Sequence, residues 1–211
     1  MKRRIDAHVV MEKLVPRITE EYRKIYDIPE NHESMAIFSA DCEDVMWLAV
    51  DDATKKAKIK VIQIETVYGG VDYSWSRYGG EITAIISGEK VADVKSGLQY
   101  AKDYIENKSG NYSLNEEGTL GYYVDYVPRI GKYYQESLGL SEGTSIAYLV
   151  SAPVESMYGL DKALKAADVQ NYPRFLPVLI QVARLYMERN RHVALPLRRS
   201  QRVWSTVRFT Q

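Results

Sequence analysis

Val15-Pro16-Arg17-Ile18 recurs as Val127-Pro128-Arg129-Ile130, 112 residues further on. The first copy runs into TEEYRKIYDI (19–28) and the second into GKYYQESLGL (131–140), both Tyr-rich and helical in character, with Tyr22 and Tyr134 at the same offset. A polar turn follows in each, PENHE or SEGT, and then a short apolar run. Ser34-Met35-Ala36-Ile37-Phe38 pairs in this way with Ser145-Ile146-Ala147-Tyr148-Leu149. DDATKKAKIKV (Asp51–Val61) matches DKALKAADVQN (Asp161–Asn171) at an offset of 110, aligning Ala53, Lys55 and Ala57 with Ala163, Lys165 and Ala167. Four identical residues can arise by chance, but three blocks in one order at nearly one offset mark a tandem duplication. Its boundary falls in the polar stretch Asn107–Asn111, giving a first domain of residues 1–108 and a second of 109–211.

One repeat reads as an α/β (α+β) unit. A mixed apolar segment, Ile5–Val15, precedes a helix expected from about Pro16, since proline suits a first helical turn. Met35–Ser39 and Val45–Val50 read as short strands around the acidic turn ADCED. Asp51 or Asp52 then caps a helix through Lys58, acids leading and lysines trailing as the helix dipole prefers. Ile59–Val67 alternates as a strand, and a loop rich in Gly and Tyr, YGGVDYSWSRYGG (68–80), leads to strand Glu81–Ser87. Gly88 turns the chain into a helix over Val91–Ile105, whose Val91, Val94, Leu98, Ala101 and Ile105 keep a 3–4 spacing. Mixed strands and helices exclude an all-α or all-β class.

Composition narrows the function classes. The 211 residues include 28 Lys+Arg and 28 Asp+Glu, 45% are hydrophobic, and a single cysteine, Cys42, excludes an internal disulfide framework or a CxxC site. The basic N-terminus has no apolar stretch behind it and is not read as a signal peptide. No apolar run approaches the ~18 residues of a membrane span. The chain is therefore expected to be soluble and cytoplasmic.

Chemistry-bearing motifs are sparse. His8, His32 and His192 are far apart with no i,i+4 partner, so they read as surface histidines and no metal site is expected. There is no GxSxG, Walker loop or GxGxxG, and the double glycines 69–70 and 79–80 bracket a loop without opening a phosphate-binding helix. Cys42 sits between Asp41 and Glu43, where neighbouring anions make a poor thiolate. Asp41, Glu43 and Asp44 read as a solvated acidic turn. The aromatic residues of 68–78 could stack bases, but Arg77 is the loop's one basic residue. No catalytic residue and no cofactor are expected, and an enzyme is the least favoured class.

AYLVSAPVESMYGLDKALKAADVQ (Ala147–Gln170) closely resembles the second domain of the trimeric, tandem-domain shell proteins of bacterial microcompartments, ethanolamine-utilisation type. FSADCEDVMWLAVDDATKKAK (Phe38–Lys58) and GGEITAIISGEKVADVKSGL (Gly79–Leu98) are similar to the matching first-domain pieces. The resemblance covers about residues 30–170. It implies two circularly permuted shell domains per chain and a homotrimer forming a flat pseudohexamer. Such hexagons would tile a shell with other microcompartment shell proteins, with pores for small polar metabolites and no nucleic-acid or membrane partner. The central-pore loop would be the segment holding Tyr68, Gly69, Gly70, Tyr73, Trp75, Tyr78, Gly79 and Gly80. A small pore within the subunit would bind an ammonium metabolite at Asp44, Glu81 and Tyr112. Carboxylates favour such a cation, and an aromatic face adds ~1–2 kcal/mol. A surface acid on a strand edge is the plain alternative for Glu81, and a sensor built on the same duplicated unit is the alternative for the whole chain.

The tail breaks the repeat. From Asn171 to Gln211 there are eight Arg, no Lys and one acid, leaving 20 basic and 27 acidic residues before it. A strand-Gly-helix unit like AIISGEKVADVKSGLQYA (Ala84–Ala101) should close the second domain, yet the tail has no glycine. Codons for RLYMERNRHVALPLRRS (184–200), read one base out of register, permit ALHGTEQACRAAAEAF, which has the missing pattern. Residues beyond about Gln170 are thus read as translated off-frame, with a genuine tail as the alternative. An off-frame tail, with Pro173, Pro177 and Pro196, is expected to leave the sheet around Ile146–Val150 with an open edge.

Overall fold

The computed structural model describes residues 4–67, 81–113, 115–117, 121–166, 169–172 and 180–185. The first repeat runs through strands β1 (Arg4–Asp6) and β2 (Val9–Val15), helix α1 (Glu20–Tyr26), strand β3 (Ser34–Ala40), helix α2 (Glu43–Lys56), strands β4 (Lys60–Val67) and β5 (Glu81–Gly88) and helix α3 (Val91–Asp103). A π-helical turn, Tyr104–Lys108, ends it. The second repeat supplies β6 (Gly110–Ser113), β7 (Gly121–Val127), α4 (Lys132–Leu138), β8 (Ile146–Val150), α5 (Pro153–Ala166), β9 (Val169–Tyr172) and β10 (Ile180–Leu185).

The duplication is visible in the strand order. One sheet is β2-β3-β5-β4, and the other, β1-β6-β7-β8-β10-β9, contains the same arrangement as β7-β8-β10-β9. The pairs β2–β3, β3–β5, β4–β5, β6–β7, β7–β8, β8–β10 and β9–β10 are antiparallel, with Ala36 opposite Ile86 in the first sheet and Tyr148 opposite Val182 in the second. The central strand β3 is buried along nearly its whole length, which is why SMAIFSA lacks a polar alternation.

The chain folds into two compact units. One comprises Asp6–Gly110 together with Gly131–Leu140, so α4 packs with the first repeat's elements. The other holds Asn111–Ile130 and the described residues from Ser141 onward, with Arg4 and Ile5. In the first unit Ile18, Ile28, Met35 and Ile85 form a buried cluster under Val15, Tyr22 and Tyr26.

Three local expectations are corrected. The first helix starts at Glu20 instead of Pro16, because Thr19 supplies the N-cap and accepts from the Tyr22 N–H at 3.3 Å. Val45–Val50 is helix, not strand, and Asp51 and Asp52 lie in the middle of α2 instead of capping it. The run of apolar residues that mimicked a strand arises because α2 is covered on several sides, by β4 and β5, by α3 and by α4. The expected open edge of the second sheet is filled: β10 pairs with β8 on one side and β9 on the other. Pro173 and Pro177 fall between these strands. The counterpart of α3 would fall among residues outside those described, as do Pro196 and His192.

Asp51 explains how α4 is held. Its carboxylate, on a fully buried residue, accepts from the Gly131 N–H at 2.7 Å and the Tyr134 N–H at 3.1 Å. Lys55 Nζ lies 3.1 Å away, and the Thr54 hydroxyl accepts from the Lys132 N–H at 2.9 Å. The orphan donors of the first turn of α4 are thereby satisfied by side chains of α2. Gly131 is required by this approach, since a Cβ there would overlap the Asp51 carbonyl oxygen and the Thr54 hydroxyl. Gly131→Ala is accordingly expected to cost about 2 kcal/mol through overpacking against backbone, read as a lower urea midpoint with an unchanged slope.

Candidate functional site

Strand register gathers the acidic residues at one end of the first sheet. Val9 lies opposite Ala40, Ala40 opposite Ile82, and Glu81 opposite Val67. The start of β2, the end of β3, the start of β5 and the end of β4 therefore form one row. Asp41 leaves this row directly after β3, and Asp44 follows in the first turn of α2, where a carboxylate suits the positive end of the helix dipole. Glu81 opens β5 and is half-buried. The segment 68–80 connects β4 to β5 from this same end, although its residues lie outside those described.

Asp41 anchors the row. Its carboxylate accepts from the His8 N–H at 2.7 Å and lies 3.0 Å from His8 Nδ1. His8 itself is exposed, as a surface histidine should be, but its partnership with an acid 33 positions away carries no sequence signal. Asp41 is thus held by hydrogen bonds to His8 and is not part of a freely solvated turn.

Tyr112 lies in the other unit, on β6, opposite Tyr122 on β7. The two rings stack with centroids 5.5 Å apart and 25° between planes, so Tyr122 occupies one face of Tyr112. Burial pushes the Tyr122 phenol up to about 12. Asp44 and Glu81 share one unit, whereas Tyr112 belongs to the second. Tyr68, Gly69, Gly70, Tyr73, Trp75, Tyr78, Gly79 and Gly80 fall outside the described residues.

A separate cleft of about 430 Å³ lies in the first unit between the end of α2, the start of β4 and α4. Lys58, Lys60, Glu89 and Asp93 line it, so its charges are mixed and select neither a cation nor an anion. His32 borders this cleft with its Nδ1 2.8 Å from the Ser87 hydroxyl, and burial pulls its pKa below the ordinary imidazole value. The reading of His32 as a plain surface residue is corrected by that hydrogen bond.

Among the described residues no group of three His, Cys, Asp or Glu is placed to hold a metal ion, and no helix is long and apolar enough to cross a membrane.

Comparison with known proteins places this architecture. The BMC domain family matches residues 44–116. The bacterial microcompartment shell protein EutL of Clostridium perfringens is 37% identical over 173 residues, covering 82% of this chain and 80% of that protein. EutL of Escherichia coli K12 is 32% identical over 166 residues, covering 79% and 76%. The crystal structure of ethanolamine utilization protein EutL from Leptotrichia buccalis superposes with a TM-score of 0.78 at 37% identity, covering 86% of each chain. Shared fold, strand order and sequence over four-fifths of the length lead to one conclusion: this chain belongs to the EutL-type BMC-domain shell proteins, and its role is that of a structural, non-catalytic tile of a bacterial microcompartment shell with pores for small metabolites.

Proposed function

We propose that three copies of the chain form a flat pseudohexamer whose small pores admit an ammonium-bearing, ethanolamine-like metabolite. The observation that carries this reading is the row at one end of the first sheet, where Asp41 follows β3, Asp44 lies in the first turn of α2 and Glu81 opens β5. An ammonium group gains charge-assisted hydrogen bonds from such carboxylates, and an aromatic ring such as that of Tyr112 adds a cation–π contact. Segment 68–80 supplies the central pore. Two repeats per chain make six pseudo-equivalent wedges in a trimer, and closed symmetry is the usual result of that arrangement.

Glu81→Gln tests the pore. Titration calorimetry with ethanolamine is expected to show affinity reduced about tenfold, corresponding to ~1.4 kcal/mol, with the fold intact. Equal binding by both proteins would remove Glu81 from the site. Sedimentation equilibrium of the unaltered chain is expected to give three times the chain mass of 24.2 kDa, and a stable dimer would overturn the assembly.

A further inference from the structure

We infer that the cleft between the end of α2, the start of β4 and α4 binds a small zwitterion, a molecule whose ammonium group and oxyanion are joined by a short chain. This site is separate from the acidic row. Lys60 lies opposite Ser87 at one end of the β4–β5 pair, and Val67 opposite Glu81 at the other, seven residues along. At about 3.3 Å per residue the two ends stand roughly 20 Å apart.

The charges of the cleft are balanced and unpaired. Lys58, Lys60 and Lys132 line the same space of about 430 Å³ as Glu89, Asp93 and Glu136. Opposite charges brought this close commonly pair, and on the helices they do: Asp51 with Lys55, Asp52 with Lys56 and Asp161 with Lys165. Among the described residues none of the six cleft groups forms an ion pair. Glu89 instead accepts from the Asn31 side-chain amide at 2.6 Å. A lone cation would meet the lysines and a lone anion the carboxylates, whereas a zwitterion satisfies both sets. Ile59 and Val61 add apolar surface for the chain between its charges, and the volume suits a small molecule.

Helix stability does not account for the charges on α4. Lys132 opens the helix and Glu136 follows one turn later, towards its end. The helix dipole and i,i+4 pairing both favour the opposite order, acid before lysine. The first repeat has that order: at the offset of 112 the same positions are Glu20 and Lys24 on α1.

The fold does not require the lysines of the other wall either. At the offset of 110, Thr54, Lys58 and Lys60 become Leu164, Asp168 and Gln170. The second repeat still builds the matching strand, β9, with Gln170 in place of Lys60. The cleft's walls are nevertheless rigidly joined. The Thr54 hydroxyl accepts from the Lys132 N–H at 2.9 Å and Asp51 from the Gly131 N–H at 2.7 Å, so α4 presents Lys132 and Glu136 from a fixed position.

Titration calorimetry on the full chain tests the cleft. The probes are 4-aminobutyrate and 2-aminoethyl phosphate, with butylamine, butyrate, ethanolamine and inorganic phosphate as single-charge controls. At least one zwitterion is expected to bind about tenfold or more tightly than either of its controls, and the better of the two identifies the oxyanion as carboxylate or phosphate. Lys132→Gln combined with Glu136→Gln is expected to weaken that zwitterion about tenfold, with a thermal midpoint no lower than the parent's. Glu81→Gln, at the far end of the sheet, should leave it unchanged, which keeps this outcome independent of the pore. Zwitterions that bind no better than their controls, or equally well to the double variant, would overturn the site. Weakening by Glu81→Gln would move it to the acidic row. A double variant that melts several degrees lower would assign the two charges to the fold.

Discussion

Asp51→Ala is expected to lower the thermal unfolding midpoint by roughly 6–12 °C, reflecting a loss of about 3 kcal/mol in a chain of this length. Alanine leaves the Gly131 and Tyr134 N–H groups buried without acceptors and removes the partner of Lys55. Each orphaned donor costs about 1–3 kcal/mol, because its bond to water in the unfolded chain is not replaced. Asp51→Asn should cost much less. It keeps one acceptor for the first turn of α4 and spares the fold a buried charge. The difference between the two variants, read by differential scanning calorimetry, isolates the hydrogen bonds from the charge. Equal midpoints for Asp51→Ala and the parent would mean that α4 is held by its apolar residues alone.

The same carboxyl sets a pH dependence of definite sign. Burial raises its pKa above the ordinary 3.8, outweighing Lys55 and the two backbone donors that pull it down. Between the unfolded value and the raised one, the native protein binds more protons than the unfolded chain. The contribution of Asp51 is therefore full below the unfolded value and is lost as pH rises through the raised native value. Asp51→Asn should flatten this component, so urea midpoints of variant and parent converge towards acid and separate as pH increases. A separation that grows towards acid would give Asp51 the opposite shift.

Much of the fold was legible because the repeat could be compared with itself. Val-Pro-Arg-Ile and the aligned Asp51 and Asp161 blocks anticipate two copies of one unit, and β7-β8-β10-β9 repeats β2-β3-β5-β4. Helix α2 looks like a strand in the sequence because a helix buried on several sides loses the polar face that distinguishes the two. Thr19 hid the start of α1 behind a proline that sits four residues before Glu20. The acids of the candidate site could be named from resemblance, but their common location depends on antiparallel register across four strands. Asp41 with His8 and Asp51 with Gly131 join positions 33 and 80 apart, and no local pattern announces such pairs.

Reading the gene one base out of register across codons 184–200 is expected to give a glycine followed by an Ala-rich helical stretch. The first repeat shows what that stretch would do. Helix α3 follows β5 through Gly88, packs on α2, β3 and β5, and buries Val94, Leu98 and Ala101. The described part of the second repeat reaches the equivalent strand, β10, in the same order. A helix following it would cover β8, β10 and α5 in the same way. Burying three such side chains is worth on the order of 3 kcal/mol after the cost of ordering them. A protein made from the frame-shifted reading should therefore unfold roughly 6–12 °C higher than the present chain. The parallel with Gly88 and α3 also fixes the order in which strand end, glycine and helix must appear. DNA whose alternative frame contains stop codons or no glycine in that interval would sink the idea and establish Asn171–Gln211 as the chain's own tail.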